Sequence, residues 1–267
     1  MASTLTDGIV RVAAIGDVHC SPTCRGALQP ILAQIAASAD ILALCGDLTN
    51  HGLPEEALAL VQELTALGQV PVVAVLGNHD HESDQMEEVR KIVSGAGVHL
   101  LDGHPIEIRG VGFVGVKGFG GGFDRGTLSP FGETATKRFV QEVVDEVSKL
   151  ESSLARTKAA KKIAVLHYAP IRETVVGEPE EIFAFLGSGR LAEPLDRYQV
   201  TACVHGHAHK GAPEGRTRGG VPVYNVAMPV MRASYPNRPP FRVMDVHVAS
   251  PSPAHQPAEA PVETDVG

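Results

Sequence analysis

The chain has 267 residues, of which 43% are hydrophobic and 4% are aromatic, with no Trp. This length and apolar content suffice for one large α/β domain, whose core Val, Ile, Leu and Ala must fill because aromatic side chains are scarce. The formal net charge of −8, from 31 acidic and 23 basic residues, argues against a nucleic-acid-binding surface, which is normally basic.

The cysteines and the apolar runs bear on where the protein works. The four cysteines, Cys20, Cys24, Cys45 and Cys203, form no CxxC pair and are few for a disulfide scaffold. The first residues lack the basic charge of a signal peptide, and no run approaches the roughly 20 apolar residues of a membrane helix. We therefore expect a reduced, cytoplasmic protein that contacts no membrane.

Strand and helix patterns alternate over the first part of the chain. Apolar runs typical of buried strands occupy residues 10–15, 41–45 and 70–76. Apolar residues at helical spacing lie between them and after them, at residues 26–38, 54–68 and 82–94. Three β-α repeats favour a largely parallel sheet covered by helices.

The pattern changes in the second part. Short strands are predicted at residues 105–109 and 111–116, followed by a glycine-rich loop at 118–122 and a long helix from 133 to about 158. Further strands are predicted at residues 162–166, 200–204, 221–227 and 241–248, and short helices at 180–186 and 189–195. We expect one domain over residues 1–248 and a disordered tail over residues 249–267, which are rich in Pro, Ala and Glu.

One glycine motif is misleading. Residues 110–115 read Gly-Val-Gly-Phe-Val-Gly and match GxGxxG. A dinucleotide site needs these glycines between a strand and the start of a helix, whereas here they lie inside a strand-like run. We therefore expect no nucleotide cofactor. Because the sequence contains neither GxxxxGK[ST] nor GxSxG, the phosphate-loop and serine-hydrolase interpretations have no support either.

Five of the predicted strands stop abruptly at residues that can hold a metal ion. In open α/β sheets, sites form outside the carboxyl ends of the strands, so side chains at these ends should meet at one edge. The candidate ligands, in chain order, are Asp17, His19, Asp47, Asn78, His167, His207 and His209.

This set of ligands predicts a centre with two metal ions. Carboxylate, imidazole and amide groups together suit Mn, Fe, Zn, Co or Ni better than Ca. There are more candidates than one ion needs, and Asp47 could bridge two ions ~3.5–4 Å apart. A bridging hydroxide could then attack the phosphorus of an ester in line. His79 could give the leaving oxygen its proton, with Asp80 orienting the imidazole.

The ordered motifs resemble the calcineurin-like metallophosphoesterase superfamily. They are Asp-x-His at Asp17, Gly-Asp at Asp47, Gly-Asn-His-Asp around Asn78, a later His167, and Gly-His-x-His ending at His209. The resemblance implies a four-layer α/β/β/α sandwich with a di-metal site at the carboxyl ends of the strands. The size of the chain and its Gly-Asp-Leu-Thr segment are similar to small bacterial phosphodiesterases, including cyclic-nucleotide ones.

The resemblance also implies a role for each candidate residue. One metal would be held by Asp17, His19, Asp47 and His209. The other would be held by Asp47, Asn78, His167 and His207. His79 would lie at the leaving group, with Asp80 behind it. His205 has no role that the resemblance supplies, and Asn50, His51, His81, Lys117 and Arg125 could either line the pocket or be solvated.

We therefore expect a hydrolase that cleaves a small phosphate ester with two bound ions, for which Mn, Fe and Zn are the candidates. Phosphodiesters are favoured, since the motifs include no cluster of Arg for a phosphate dianion. A phosphomonoesterase or protein phosphatase of the same fold remains open, as does a non-catalytic, metal-containing scaffold or binding protein. The sequence makes no prediction about the oligomeric state.

Overall fold

The computed structural model describes residues 8–248, and the strands in this part of the chain form two sheets. The first sheet has the order β11-β1-β2-β3-β4, in which β1 to β4 are parallel and β11 is antiparallel to β1. Its strands are β1 (Ile9–Ile15), β2 (Ile41–Cys45), β3 (Val72–Val75), β4 (His99–Leu100) and β11 (Arg242–His247).

The second sheet has the order β5-β6-β7-β8-β10-β9. Its four central strands are parallel, and an antiparallel strand closes each edge. The strands are β5 (Ile106–Ile108), β6 (Val111–Val116), β7 (Lys161–Leu166), β8 (Ala202–His205), β9 (Glu214–Arg216) and β10 (Pro222–Asn225).

Helices cover the outer faces of both sheets. Those over the first sheet are α1 (Gln29–Ser38), α2 (Pro54–Leu64) and α3 (Met86–Gly95). Those over the second sheet are α4 (Thr134–Arg156) and α6 (Ala192–Arg197). Two further short helices, α5 (Phe183–Leu186) and α7 (Met228–Ser234), lie in connections. In the described part of the chain, no helix is both long enough and apolar enough to span a membrane.

Three apolar cores separate the four layers. On β1, Ala13 and Ile15 face the helices while Val12 and Ala14 face the second sheet, as the two-residue period of a strand requires. The core between the sheets is built mainly from Val, Ala and Ile, with Phe113 the largest side chain in it. The four-layer α/β/β/α sandwich expected from the sequence is therefore confirmed.

The glycines of the misleading motif serve packing. A Cβ at Gly115 would lie 2.8 Å from Val75 Cγ1 of the first sheet, and one at Gly112 would lie 2.6 Å from Thr157 Cγ2. Since real Cβ atoms do not approach so closely, glycine lets strand β6 lie close to its neighbours on both faces.

Several boundaries differ from the sequence predictions. The helices predicted at 180–186 and 189–195 each begin with a 3-10 turn, at Glu180–Ile182 and Gly189–Leu191. Helix α7 and the short strands β4 and β9 were not predicted. The disordered tail predicted for residues 249–267 lies outside the described residues, so that prediction and the domain boundary at residue 248 stay predictions.

Candidate metal centre

The loops that leave the strands bend sharply at the candidate ligands. Four of these residues have positive φ angles: Asp17 at 57°, His19 at 43°, Asp47 at 47° and His207 at 69°. Such a backbone costs of the order of 1–3 kcal/mol for a residue other than glycine and persists only where its surroundings hold it. Strain of this kind gathered at one edge of a fold is typical of a functional site.

Two glycines let the loops close around the carboxylates. A Cβ at Gly77 would collide with Asp47 Oδ1, and a Cβ at Gly206 would collide with Asp17 Oδ2. Glycine therefore precedes Asn78 and His207 because the neighbouring backbone passes directly over a carboxylate.

The first cluster of candidate ligands comprises Asp17, His19, Asp47 and His209. Their ligand atoms all lie within 4.8 Å of one another. His209 Nε2 is 2.9 Å from Asp17 Oδ1, and His19 Nε2 is 3.7 Å from Asp47 Oδ2. Both carboxylates are buried, and buried carboxylates are stable only when a cation or several donors compensate them.

His19 gives a direct test of whether the cluster suits a metal. Both ring nitrogens of His19 are buried and have no hydrogen-bond partner. A buried polar atom without a partner costs about 1–3 kcal/mol. The charged group beside His19 Nε2 is the carboxylate of Asp47, whose Oδ2 lies 3.7 Å away. A cation between this imidazole and the carboxylates would satisfy both, so the residues present fit a metal ion.

The second cluster comprises Asp47, His167 and His207, whose ligand atoms also lie within 4.8 Å of one another. His167 Nδ1 lies 3.0 Å from the carbonyl oxygen of Cys45 and must donate to it. Burial holds the pKa of His167 well below its ordinary value, so Nε2 carries a lone pair. That lone pair faces Asn78 Oδ1 at 2.8 Å and Asp47 Oδ1 at 3.3 Å.

Three acceptors thus lie together beside His167, and none of them donates a proton to another. A cation would relieve such an arrangement, since a carboxylate oxygen, an amide oxygen and a neutral imidazole nitrogen all offer electron pairs. The carbonyl of Cys45 fixes the tautomer of His167, which is the usual task of the partner behind a metal-binding histidine.

His207 is oriented in a similar way. Its Nε2 lies 3.2 Å from the carbonyl oxygen of Phe185 and donates to it, which leaves the lone pair on Nδ1. Its backbone N–H donates to both oxygens of Asp17, at 2.9 and 3.1 Å. Burial lowers the pKa of His207 to about 3, so the ring is neutral and able to bind a metal.

The electrostatics of the first cluster also favour a cation. Burial raises the pKa of Asp17 to about 6, although the hydrogen bond to His209 acts in the opposite direction. The same hydrogen bond raises the pKa of His209 above its ordinary value. The ligands come from both sheets, with Asp17, His19, Asp47 and Asn78 following strands of the first and His167, His207 and His209 following strands of the second.

His79 lies at the rim of the first cluster. Its ring meets that of His19 edge to face, with 4.6 Å between the centroids, and its backbone N–H donates to Asp47 Oδ1 at 2.9 Å. Its Nδ1 donates to the carbonyl oxygen of Asn50 at 2.6 Å. The side chain is about one third exposed, at 35%.

The expectation that Asp80 orients the imidazole of His79 is wrong. The Asp80 carboxylate is buried and accepts hydrogen bonds from three backbone N–H groups and one hydroxyl, which belong to Leu48, Thr49 and Gly77. Because His79 and Asp80 are neighbours in a 3-10 turn, their side chains leave it in different directions. Asp80 instead ties the loop after β2 to the loop after β3.

Other candidates lie away from the clusters. His205 is buried between Thr174 Oγ1 and the carbonyl of Gly206, at 2.8 Å each, and serves the structure. His51 is exposed beside Glu82, and Arg125 lies in an exposed turn. His81 and Lys117 line a separate cavity with Glu142 and Glu146.

Sequence reasoning missed two neighbours of the centre. Tyr168 packs against His207 with 4.3 Å between the ring centroids, and the carbonyl of Phe185 fixes the tautomer of His207. The position of Tyr168 directly after His167 could have suggested the first. A backbone carbonyl has no signal in the sequence, so the second could not be found.

A comparison with protein families identifies the class. The family model described as calcineurin-like phosphoesterase matches residues 10–211. The chain therefore belongs to the calcineurin-like phosphoesterase family, whose members use divalent metal ions. A comparison with curated proteins found no match.

Solved structures share the fold. Phosphopantetheinyl hydrolase (PptH) from Mycobacterium tuberculosis is similar with a TM-score of 0.64 and 16% identity, over 96% of this chain and 100% of that chain. Purple acid phosphatase PPD1 from yellow lupin seeds has a TM-score of 0.53 and 12% identity, over 84% of this chain and 44% of that chain. A putative 5′-nucleotidase from Staphylococcus aureus has a TM-score of 0.50 and 16% identity, over 81% and 48%. At these identities the likeness concerns the fold alone.

Proposed function

We propose that the protein is a metal-dependent phosphoesterase that hydrolyses phosphodiesters with two bound ions. The observation that carries the proposal is the convergence of electron-pair donors around Asp47, on one side with Asp17, His19 and His209 and on the other with His167 and His207. Family membership supports hydrolase activity.

In this proposal each cluster holds one ion. Asp17, His19, Asp47 and His209 bind the first, and Asp47, Asn78, His167 and His207 bind the second, with Mn, Fe or Zn as the candidates. When bound, the ions supply positive charge for the phosphate and an acidified water that serves as the nucleophile. No side chain of the protein then has to attack the phosphorus.

His79 is proposed to assist the departure of the leaving group. Because its Nδ1 proton is committed to the carbonyl of Asn50, Nε2 is the atom that would give a proton to the leaving oxygen, which requires the imidazolium form with a proton on each ring nitrogen. Among the described residues, the His79 ring forms its hydrogen bond to Asn50 and its contact with the Glu82 carboxylate through Nδ1, which leaves Nε2 for a substrate oxygen. Its exposure is consistent with contact to a substrate.

The charge around the clusters favours a diester over a monoester. In the described part of the chain, no Arg or Lys side chain forms a hydrogen bond or an ion pair with any of the proposed ligands. A monoester dianion carries one charge more than a diester and would gain from such a group. The alternatives of a phosphomonoesterase or protein phosphatase predict the opposite preference.

A non-catalytic scaffold is the candidate from a different class. A scaffold could keep the metals for recognition, but it would not need an oriented imidazole at the rim of the clusters. The position of His79 therefore supports catalysis over scaffolding.

The test is hydrolysis of bis(p-nitrophenyl) phosphate and of p-nitrophenyl phosphate by the Mn-loaded protein, before and after chelation. We expect chelation to abolish activity, added Mn to restore it, and the diester to be the better substrate. His209→Ala should lose metal and activity. His104→Ala changes an exposed histidine whose Nδ1 faces the Asp102 carbonyl, and it serves as the matched control. Metal binding without turnover of either ester would favour the scaffold.

A further inference from the structure

A cleft lined by aromatic rings opens beside the proposed second metal site. The chain has only 8 Phe and 4 Tyr, yet four of these rings meet here. The cleft has a volume of about 370 Å³, which lies in the range of small-molecule sites. Its apolar lining consists of Phe119, Phe139, Tyr168, Ile182, Phe185 and Leu186.

The rings form a continuous row that ends on a proposed metal ligand. From the surface inward, the centroids of Phe185 and Phe139 are 5.8 Å apart, and those of Phe139 and Phe119 are 4.9 Å apart. Phe119 and Tyr168 are 5.6 Å apart, and Tyr168 and His207 are 4.3 Å apart. His207 therefore belongs both to the wall of the cleft and to the second cluster.

The glycine-rich loop shapes this cleft. A Cβ at Gly120 would lie 3.1 Å from the Phe139 ring and 3.2 Å from Phe185 Cα. The N–H groups of Gly121 and Gly122 donate to the carbonyls of Ala184 and Gly187, at 2.8 and 2.9 Å. The loop thus holds α5 at the rim, and the carbonyl of Phe185 in that helix fixes the tautomer of His207.

The chemistry of the lining selects its occupant. No Asp, Glu, Lys or Arg side chain of the described residues lines the cleft. The nearest cation is Lys117, whose Nζ lies 4.7 Å from the Phe119 centroid and 5.4 Å from the Tyr168 centroid, and it lines a neighbouring cavity that contains several charges of each sign. Phe185 is 59% exposed and Ile182 is 38% exposed, so apolar surface stands open to solvent at the mouth. Burial of such surface by an uncharged apolar group is favourable.

We propose that this cleft binds an apolar, aromatic group of the phosphate ester, with Phe139 and Phe185 determining specificity. This inference rests on the proposed function. Because His79 lies beside His19 of the first cluster and the cleft lies beside His207 of the second, the group in the cleft is the one that stays on the phosphorus. The leaving group departs on the side of His79.

The experiment compares two diesters with the same leaving group, methyl p-nitrophenyl phosphate and benzyl p-nitrophenyl phosphate, on the Mn-loaded protein. A methylene joins the benzyl ring to the ester oxygen, so the two phosphorus centres have similar intrinsic reactivity. We expect kcat/KM for the benzyl ester to exceed that for the methyl ester about tenfold or more, as hydrophobic pockets discriminate. Phe139→Ala and Phe185→Ala should each lower this ratio at least about threefold, and Phe139→Leu should restore part of it.

Phe131→Ala is the matched control, since Phe131 is 83% exposed and lies outside the cleft lining; it should leave the ratio unchanged. Equal kcat/KM for the two esters in the wild type would overturn the inference while the proposed function stands. An equal loss on both esters in the cleft variants would place the shared p-nitrophenyl group there and overturn the assignment. If neither ester is hydrolysed, the proposed function fails and the inference fails with it. Gel filtration of the same variants tests whether the cleft is instead an interface between two copies of the chain. If Phe185→Ala changes a dimer to a monomer and leaves the ratio of kcat/KM for the two esters unchanged, the inference is overturned.

Discussion

The carbonyl oxygen of Asn50 lies 2.6 Å from His79 Nδ1 and fixes the direction of the imidazole. A backbone carbonyl oxygen accepts hydrogen bonds and donates none, so Nδ1 must carry a proton, and the fold of the loop after β2 keeps it there. Nε2 is left to face the substrate in the proposed mechanism, in which it acts as an acid only when the ring carries a second proton there.

Replacement of His79 by Asn should reduce turnover without loss of metal. The imidazole is not among the proposed ligands, and general acid catalysis contributes typically 10²–10⁴-fold. We expect kcat to fall most for diesters with poor leaving groups and least for p-nitrophenyl esters. The measurement is kcat across leaving groups of increasing pKa, together with metal content by mass spectrometry. Loss of bound metal in His79→Asn would show that our role for His79 is wrong.

Asp80→Asn should destabilise the protein although Asp80 touches neither the substrate site nor the ring of His79. The carboxylate accepts four hydrogen bonds from Leu48, Thr49 and Gly77. An amide nitrogen in place of one oxygen would face donors, which costs about 1–3 kcal/mol for each unsatisfied group. Urea denaturation should therefore show a lower free energy of unfolding. Asp124→Asn at an exposed position is the control and should change stability little.

The metal-free protein should respond to pH through Asp17. Burial raises the pKa of Asp17 to about 6 in the folded state, while an unfolded Asp titrates near 3.9. The folded state then binds more protons than the unfolded state between these values, so this group's contribution to stability is full below about pH 4 and is lost as the pH rises through 6.

Asp17→Asn removes that contribution, because the amide has no charge at any of these pH values. It also removes the carboxylate that raises the pKa of His209. After chelation, the variant should gain stability relative to the wild type between pH 4 and pH 7, by on the order of 2–3 kcal/mol. With Mn present at pH 7 the sign should reverse, since the wild type alone keeps the carboxylate ligand. A stability difference independent of both pH and Mn would contradict the role given to Asp17.

Gly77→Ala should impair the centre through crowding alone. A Cβ there would collide with Asp47 Oδ1 and would reach within 2.8 Å of His167 Cε1. We expect weaker Mn binding, measured by calorimetry, and a loss of activity of about 10²-fold, as small misplacements of reacting groups produce. Gly126→Ala is the control, since no atom lies within 4 Å of a Cβ at that position. Normal Mn affinity in Gly77→Ala would mean that the loop can move aside.

The position of the centre could be predicted because its residues follow apolar strands directly. A strand in a parallel sheet fixes the direction of its last residue, so Asp17 and Asp47, which follow paired parallel strands, had to lie at one edge. His167 follows a strand of the second sheet, and the packing of the two sheets brings it to them. The sandwich of four layers followed from the family resemblance and not from the periodicity of the segments. Which sheet each strand joins was outside the reach of local patterns.

Other features escaped prediction for identifiable reasons. The run Val226-Ala227-Met228 continues the apolar pattern of β10, which hid the start of α7 at Met228. The role predicted for Asp80 was wrong because neighbouring residues in a 3-10 turn, such as His79 and Asp80, need not have side chains in contact. The aromatic row joins rings from residues 119 to 207, and no periodicity relates residues so far apart.

The division of the ligands between the two sheets has a mechanical consequence. A pair of bound ions would connect the two sheets in addition to the apolar core between them. The ions would link the loops of Asp17 and Asp47 to those of His167 and His209. Chelation should then speed amide hydrogen exchange along the shared edge of both sheets and leave the far edge, where α4 ends at Arg156, nearly unchanged.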